Sequence, residues 1–546
     1  MYRVLVTEPL SEEGLARLRQ SAQVDLRTGL SPAELVAVIG DYDALIVRSR
    51  TQVTAELLQA GTRLKIVARA GSGVDNIDVE AATRYGVLVV NAPLGNTVAV
   101  AEHTFGLMLA LARHIPAADA AMKGGGWPKS ALIGRELRGK TLGIIGLGRI
   151  GAALARRAAA FEMRLVAYDP FVSADYAARL GVEMMGLDAL LQEADFVSVH
   201  IPGNERTRGL IDAARLAMMK PTAILINCAR GGIVDEAALA QALAEGRLGG
   251  AGLDVFVHEP PGLTELVRSP RVVCTPHLGA STEEAQESCA CDVVEQVLAV
   301  LDGQPPRYPV NAPALSGEEM ATLGPYLDLG QRLGSFYGQM NGMSLERLDL
   351  VYAGEVAAHN TALLRAAVLV GLLQQMVEEP VNLVNANALA ASRGIAIAEH
   401  SEPQAENYAG LLTVRASTKA GEHSVSGSVV RGRPHAVCID GFWLDFVLEG
   451  YLLLSEHIEQ PGILGRMGML LGESGLNVSF VQVGRWGRGS HGIMVLGIDD
   501  PVPADLLERI RALPSIRSVR LIHIERPAIG FQPVAASRQP SPAATG

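Results

Sequence analysis

At 546 residues, 49% of them hydrophobic and 19% charged, the chain is an ordinary globular sequence too long for one core, since cores stop growing near ~250 to 300 residues. Its net charge of -11 argues against a general binder of nucleic acid or anionic membrane, which would need a cationic surface, and leaves room for a local basic pocket. Five cysteines without metal-ligand spacing read as reduced thiols rather than a disulfide framework or metal site, and neither a signal-peptide pattern nor an apolar run of ~20 residues is present, so a cytoplasmic protein is expected.

From Tyr2 to about Val98, apolar strands (YRVLVTE, ALIVRS, LKIVARA, VLVVN) alternate with helical segments (SPAELVAVIG, TAELLQAG, NIDVEAATRYG), the pattern of a parallel sheet covered by helices. The next segment, VAVAEHTFGLMLALARHI, is apolar nearly all round and predicts a helix buried between domains. A second alternating series runs from LRGKTLGIIGLGRIG through RLVAYDP, FVSVHIP, AILINCARGG, GAGLDV and VVCTPHLG, and the helix around STEEAQESCACDVVEQVLAVLDG closes it. The Pro-rich GQPPRYPVNAPALSGEE marks a boundary. Beyond it, a Leu-, Ala- and Val-rich region ends in strand-like pieces (GLLTVRAST, EHSVSGSVV, HAVCIDG). The last structured stretch reads as strand, helix, strand, strand, and a Pro-, Ala- and Ser-rich tail from about Ile529 is expected to be disordered.

Gly146, Gly148 and Gly151 form GLGRIG directly after the strand TLGIIG and at the head of the helix RIGAALARRAAAF. That context turns a weak motif into a dinucleotide site: glycines allow a tight turn and close approach of backbone to a pyrophosphate, and the helix N-terminus offers unpaired N–H groups. Asp169 ends the next strand, where a carboxylate accepts hydrogen bonds from a ribose 2′-hydroxyl and repels a 2′-phosphate, so NAD is expected rather than NADP.

Arg230, Glu259 and His277 stand at the ends of later strands of this series, and ligands of such sheets bind beyond the carboxyl ends of the strands. Their chemistry is complementary: an imidazole to take an alcohol proton, a carboxylate to hold that imidazole, and a guanidinium to grip a substrate carboxylate through paired hydrogen bonds. In the first series, Arg48 and Arg50 occupy alternate positions at the end of one strand, and Arg69 ends the next. Alternation predicts that Arg48 and Arg50 share a side and meet a dianionic phosphate together.

GLGRIG, NCARGGIVDE, AGLDVFVHEPP and PHLGAST together resemble the signature segments of the D-2-hydroxyacid dehydrogenases, and with the C-terminal regions the resemblance extends to the long-form phosphoglycerate dehydrogenases, over nearly the whole chain to about Pro527. The resemblance implies an α/β fold of two Rossmann- or flavodoxin-like doubly wound parallel-sheet domains, then an α+β intervening domain and a ferredoxin-like ACT domain. The implied boundaries are 1–97 with 282–312 for substrate, 98–281 for NAD, 318–445 intervening, 446–527 ACT and 528–546 as tail. It makes His277 the acid/base, Glu259 its partner and Arg230 the substrate anchor and carbonyl polariser. Cys228 and Asp254 would lie by the nicotinamide and Arg149 and Ile150 by the pyrophosphate, with Ser72 near the cofactor. Arg48, Arg50, Arg69, Gly73 and Asn96 would contact substrate. In the ACT region, His457, Glu459 and Asn477 would contact an L-serine effector, and such domains pair side by side, so a homodimer or homotetramer is expected. The implied activity is NAD-dependent oxidation of 3-phospho-D-glycerate with serine feedback; a reductase for glyoxylate or hydroxypyruvate and an NAD-sensing corepressor-like protein are the alternatives.

Overall fold

The structure is a computed structural model describing residues 1–314, 317–341, 345, 347–377, 380–418 and 421–525. The tail expected from residue 528, and the last two residues assigned to the C-terminal domain, lie outside the described residues.

Four sheets organise the chain. The first is a five-stranded parallel sheet in the spatial order Ala22–Leu26, Tyr2–Val6, Ala44–Val47, Ile66–Arg69, Leu88–Asn91. Its inward strand residues are almost all buried, as a parallel sheet with both faces covered demands. The edge strand Ala22–Leu26 is absent from the sequence reading: it follows the helix Glu12–Ser21 with no intervening turn residue, so nothing punctuates the change. The helix Glu283–Leu301 comes back to this first sheet, burying Val293, Val294, Val297 and Val300 in one cluster with Val4, Val6, Ile46 and Ile66.

The second sheet has seven parallel strands in the order Val272–Cys274, Gly250–Leu253, Ile224–Asn227, Phe196–Val199, Thr141–Ile145, Arg164–Tyr168, Glu183–Met184. Chain direction through the sheet reverses at Thr141–Ile145, which pairs with Arg164–Tyr168 on one side and Phe196–Val199 on the other. A crevice opens at such a switch point, beyond the carboxyl ends of the strands. The helix Thr97–Ala112, which begins just after Asn96, connects the two sheets and buries Val100, Phe105, Leu107 and Met108 against the second.

The third sheet is mixed, in the order Ala396–Glu402, Arg347–Gly354, Gly410–Thr418, Gly421–Val430, Arg433–Ile439, Phe442–Val447, with only the first pair parallel. The helix Gly317–Asn341 lies on this sheet, and the helix Thr361–Leu373 buries ten of its residues with that helix beneath it, so close that a Cβ on Gly334 would lie 2.1 Å from the Val368 carbonyl; this accounts for the apolar run there. The fourth sheet is antiparallel, in the order Val478–Arg485, His491–Ile498, Gly450–Ile458, Ile516–Ile524, with helices Ile463–Glu473 and Ala504–Arg511 on one face. This is a ferredoxin-like arrangement. Its other face, through Leu452, Leu454, Ile493 and Ile522, joins the core of the third sheet. Arg332, 3% exposed, sits at that junction, bonded to Asp328 Oδ1 at 2.6 Å and to the Leu448 carbonyl at 2.7 Å. No helix among the described residues is long and apolar enough to cross a membrane.

Candidate active site

The glycine loop fits a pyrophosphate. Gly146 has φ +95°, where an added Cβ would lie 2.5 Å from the His200 carbonyl, and a Cβ on Gly151 would lie 2.2 Å from the Gly146 carbonyl. Both positions therefore require glycine. A Cβ on Gly148 would meet nothing within 4 Å, so this glycine faces open space at the head of the helix Arg149–Ala160. The helix-start N–H groups and that open approach are what an anion needs. Ile150 packs on the core beneath the loop, and Arg149 Nη1 lies 3.4 Å from the Pro93 carbonyl across the cleft. Asp169 accepts from the Leu147 amide at 2.9 Å and the Phe171 amide at 2.9 Å, fixing its carboxylate beside the loop with lone pairs left for ribose hydroxyls.

Across from the loop, Arg230, Glu259 and His277 line one cleft of about 1570 Å³, together with Arg50, Arg69 and Asp75 from the first sheet. His277 Nδ1 lies 2.8 Å from Glu259 Oε2, and Glu259 Oε1 accepts the Phe256 amide at 3.1 Å. His277 holds a left-handed φ of +55°, an uncommon conformation for a side chain of its size. The buried Asp254 maintains it: its oxygens accept from Thr275 Oγ1 at 2.6 Å, the Leu278 amide at 2.7 Å and the Gly279 amide at 2.8 Å, the residues on either side of His277. Burial alone would raise the Asp254 carboxyl, yet bonds from His103, Thr275 and those amides hold it below the ordinary carboxylate range. His103, on the connecting helix, completes the brace at 3.0 Å from Thr275 Oγ1 and 3.3 Å from Asp254 Oδ1. Cys228 lies beside them, and burial pushes its thiol up to about 12.

The cationic side departs from the strand-alternation argument. The strand Ala44–Val47 ends before Arg48, so Arg48 and Arg50 follow a bend instead of a pleat. Arg50 lines the cleft, whereas Arg48 Nη1 turns to the Pro9 carbonyl at 3.4 Å. Glu8, 5% exposed, shapes this bend by accepting the amides of Arg48, Arg50 and Thr51 at 2.9, 3.2 and 3.0 Å. Burial would raise its carboxyl, but those amides hold it below the ordinary range. Arg69 donates through Nε to the Arg48 carbonyl at 3.2 Å and through Nη1 to the Gly73 carbonyl. Burial, with Arg230 nearby, pushes its pKa down. Asn96 Nδ2 donates to Ser72 Oγ at 3.1 Å, and its buried Oδ1 has no partner. Glu8, Asp75 and His103 escaped the sequence reading, because each acts through a partner far away in the chain and belongs to no short motif.

In the fourth sheet the structure gathers only part of the effector set. His457 is 0% exposed and neither ring nitrogen has a partner; burial pushes its pKa down. Glu459 pairs with Arg485 and accepts the Gly489 amide at 3.4 Å. Asn477 donates to Asp499 Oδ2 at 2.7 Å, at the opposite end of the strand that finishes at Arg485. With ~3.3 Å per strand residue, that places it roughly 23 Å from His457 within one chain.

Residues 105–279 match the D-isomer specific 2-hydroxyacid dehydrogenase NAD binding domain, and residues 322–440 match the D-3-phosphoglycerate dehydrogenase intervening domain. The chain is 45% identical over 526 residues to the D-3-phosphoglycerate dehydrogenase of Synechocystis, covering 96% of this chain and 95% of that protein. It is 42% identical to that of Methanocaldococcus jannaschii, covering 96% of this chain and all of that protein. Among solved structures, the TT0316 protein of Thermus thermophilus superposes with a TM-score of 0.53 at 40% identity, over 56% of this chain and 99% of that one.

Proposed function

The chain belongs to the D-3-phosphoglycerate dehydrogenase family of D-2-hydroxyacid dehydrogenases, and from that premise we propose that it oxidises 3-phospho-D-glycerate to 3-phosphohydroxypyruvate, the first step of L-serine biosynthesis, with NAD as cofactor and with His277, Glu259 and Arg230 as its working groups. The reading is carried by one observation: the 2.8 Å imidazole–carboxylate pair and the guanidinium line one cleft, on loops that follow strands of the same parallel sheet that carries the glycine loop.

Bound NAD supplies the hydride acceptor. Because Glu259 engages Nδ1, His277 takes the 2-hydroxyl proton at Nε2, and the carboxylate stabilises the imidazolium that results. Arg230 grips the substrate carboxylate and polarises the carbonyl as it forms. Gly146, Gly148, Arg149, Ile150 and Gly151 receive the pyrophosphate, Asp169 the ribose, and Cys228, Asp254 and Ser72 flank the nicotinamide side. Arg50 and Arg69, with Arg48 behind them, Gly73 and Asn96 hold the phosphorylated end of the substrate.

The division into 1–97 with 282–312, 98–281, 318–445 and 446–527 belongs to the same reading, supported by the return of the helix Glu283–Leu301 to the first sheet. The enzyme is a cytoplasmic homodimer or homotetramer, and the ferredoxin-like sheet is an ACT domain through which L-serine inhibits. Since His457 and Glu459 lie far from Asn477 in one chain, the serine site draws the asparagine from a second copy. The test is NADH formation against a panel of D-2-hydroxyacids, with and without L-serine. Turnover that depends on the phosphate and falls with serine is expected; equal turnover of unphosphorylated acids overturns the substrate assignment.

A further inference from the structure

We infer that Asp75 is a positioning residue that sets the Arg230 guanidinium from the opposite side of the cleft. This rests on Arg230 being the substrate anchor. The two residues lie 155 positions apart in sequence, Asp75 on the loop that follows the strand Ile66–Arg69 and Arg230 on the loop that follows Ile224–Asn227. Each sheet therefore contributes one partner.

The way Asp75 holds the arginine distinguishes a positioning group from a competitor. Arg230 Nε donates to Asp75 Oδ2 at 2.9 Å, and one Nη1 proton goes to the Ala229 carbonyl at 2.7 Å. A guanidinium has five N–H donors in a fixed plane, so fixing Nε and one terminal proton sets the plane and leaves donors on both terminal nitrogens. Those are the donors a substrate carboxylate takes as a pair.

The surroundings are built for this contact. A Cβ on Gly73 would fall 1.9 Å from Arg230 Nη2 and 2.6 Å from Asp75 Oδ2, so only glycine lets the guanidinium lie against the loop. Arg69 donates to the carbonyl of the same glycine, which brings two guanidiniums to one short stretch of backbone. Burial and, after it, the charge of Arg230 lower the pKa of Arg69, so two guanidiniums this close need a nearby counter-charge. Asp75 supplies it while remaining half exposed at the cleft. Substrate affinity thus depends on a carboxylate that need not touch substrate.

The test is steady-state kinetics of the full chain with 3-phosphoglycerate and NAD, alongside NADH dissociation constants from fluorescence, for Asp75→Asn, Asp75→Glu, Arg230→Lys and the double variant Asp75→Asn/Arg230→Lys. Asp75→Asn is expected to raise KM about tenfold to a hundredfold, the scale of misorienting a binding group by an ångström, with a smaller change in kcat and unchanged NADH binding. Asp75→Glu recovers part of the loss. Lysine has no Nε edge to hold, so in the Arg230→Lys background Asp75→Asn adds less than about twofold. An unchanged KM in Asp75→Asn, or its full effect persisting beside Arg230→Lys, overturns the inference. If Arg230→Lys alone leaves KM unchanged, it is the anchor role of Arg230 that fails.

Discussion

The cleft between the first two sheets and the His457 end of the fourth sheet differ in how their polar side chains are partnered. In the cleft, nearly every candidate side chain is held by another part of the same chain: Glu259 holds His277, Asp254 holds the loop around it, Asp75 holds Arg230, and Glu8 holds the bend of Arg48 and Arg50. In the fourth sheet, His457 is fully buried with both ring nitrogens unpartnered, and Asn477 stands at the far end of the sheet. A buried polar group without a partner costs about 1–3 kcal/mol. The acid/base pair and the guanidinium of the cleft are thus partnered within one chain, whereas the proposed effector site takes a residue from a second copy.

Four outcomes break or sharpen this contrast, the largest first. His277→Ala lowers kcat by about 10²- to 10⁴-fold, the range for losing a positioned acid/base, while NADH fluorescence titration is unchanged. If mixing His277→Ala chains with Arg230→Ala chains restores turnover, the cleft is not complete in one chain. The second outcome concerns His200, which is partly buried beside the glycine loop, bonded to Ser198 Oγ at 2.8 Å, and pushed down to about 4 by desolvation. Below the ordinary histidine range the unfolded chain takes up a proton that the folded chain refuses, so stability falls as pH drops from 6.5 toward 4. The loss over that window is on the order of 1–3 kcal/mol. Chemical denaturation at several pH values should show His200→Asn lacking that component; an identical pH dependence in both proteins removes it.

Third, Gly151→Ala drives a methyl against the Gly146 carbonyl and is expected to cost about 1–3 kcal/mol, read as a lower denaturant midpoint together with weaker NADH binding. Weaker binding without the stability loss would mean that the turn itself is not strained. The smallest effect belongs to the other side of the contrast. Asn477→Ala raises the serine concentration for half-inhibition about tenfold, the worth of one hydrogen bond to a charged ligand. Mixed His457→Ala and Asn477→Ala chains should regain part of that response, because one of the two shared sites is then intact.

What could be read in advance divides along similar lines. The glycine loop was legible because strand, turn and helix are contiguous there, and the gathering of Arg230, Glu259 and His277 in one cleft because each lies on a loop that follows a strand of one parallel series. The AQVDL strand was not, because the helix Glu12–Ser21 runs into it with no turn residue between them, and Gln23 and Asp25 interrupt any apolar run. The side-by-side placement of Arg48 and Arg50 went wrong because alternation holds only inside a strand, and the ladder stops at Val47. Asp75 and Glu8 look like any solvated acid in sequence. Their meaning comes from partners brought close only by folding, and no local pattern encodes those.

The continuous core shared by the first, third and fourth sheets has a mechanical implication. The second sheet keeps its own clusters around Leu142, Ile144 and Leu154 on one face and Ile145, Val197 and Leu225 on the other, and takes no part in that core. Asn382 ties the third sheet's helical layer to the turn at Gly86, one residue from the lead into the strand Leu88–Asn91. Counted by packing rather than by chain order, the dinucleotide half is one limb and everything else the other. Arg69 and Asp75 therefore belong to the same packed limb as the C-terminal sheets, while Arg230, Glu259 and His277 belong to the other.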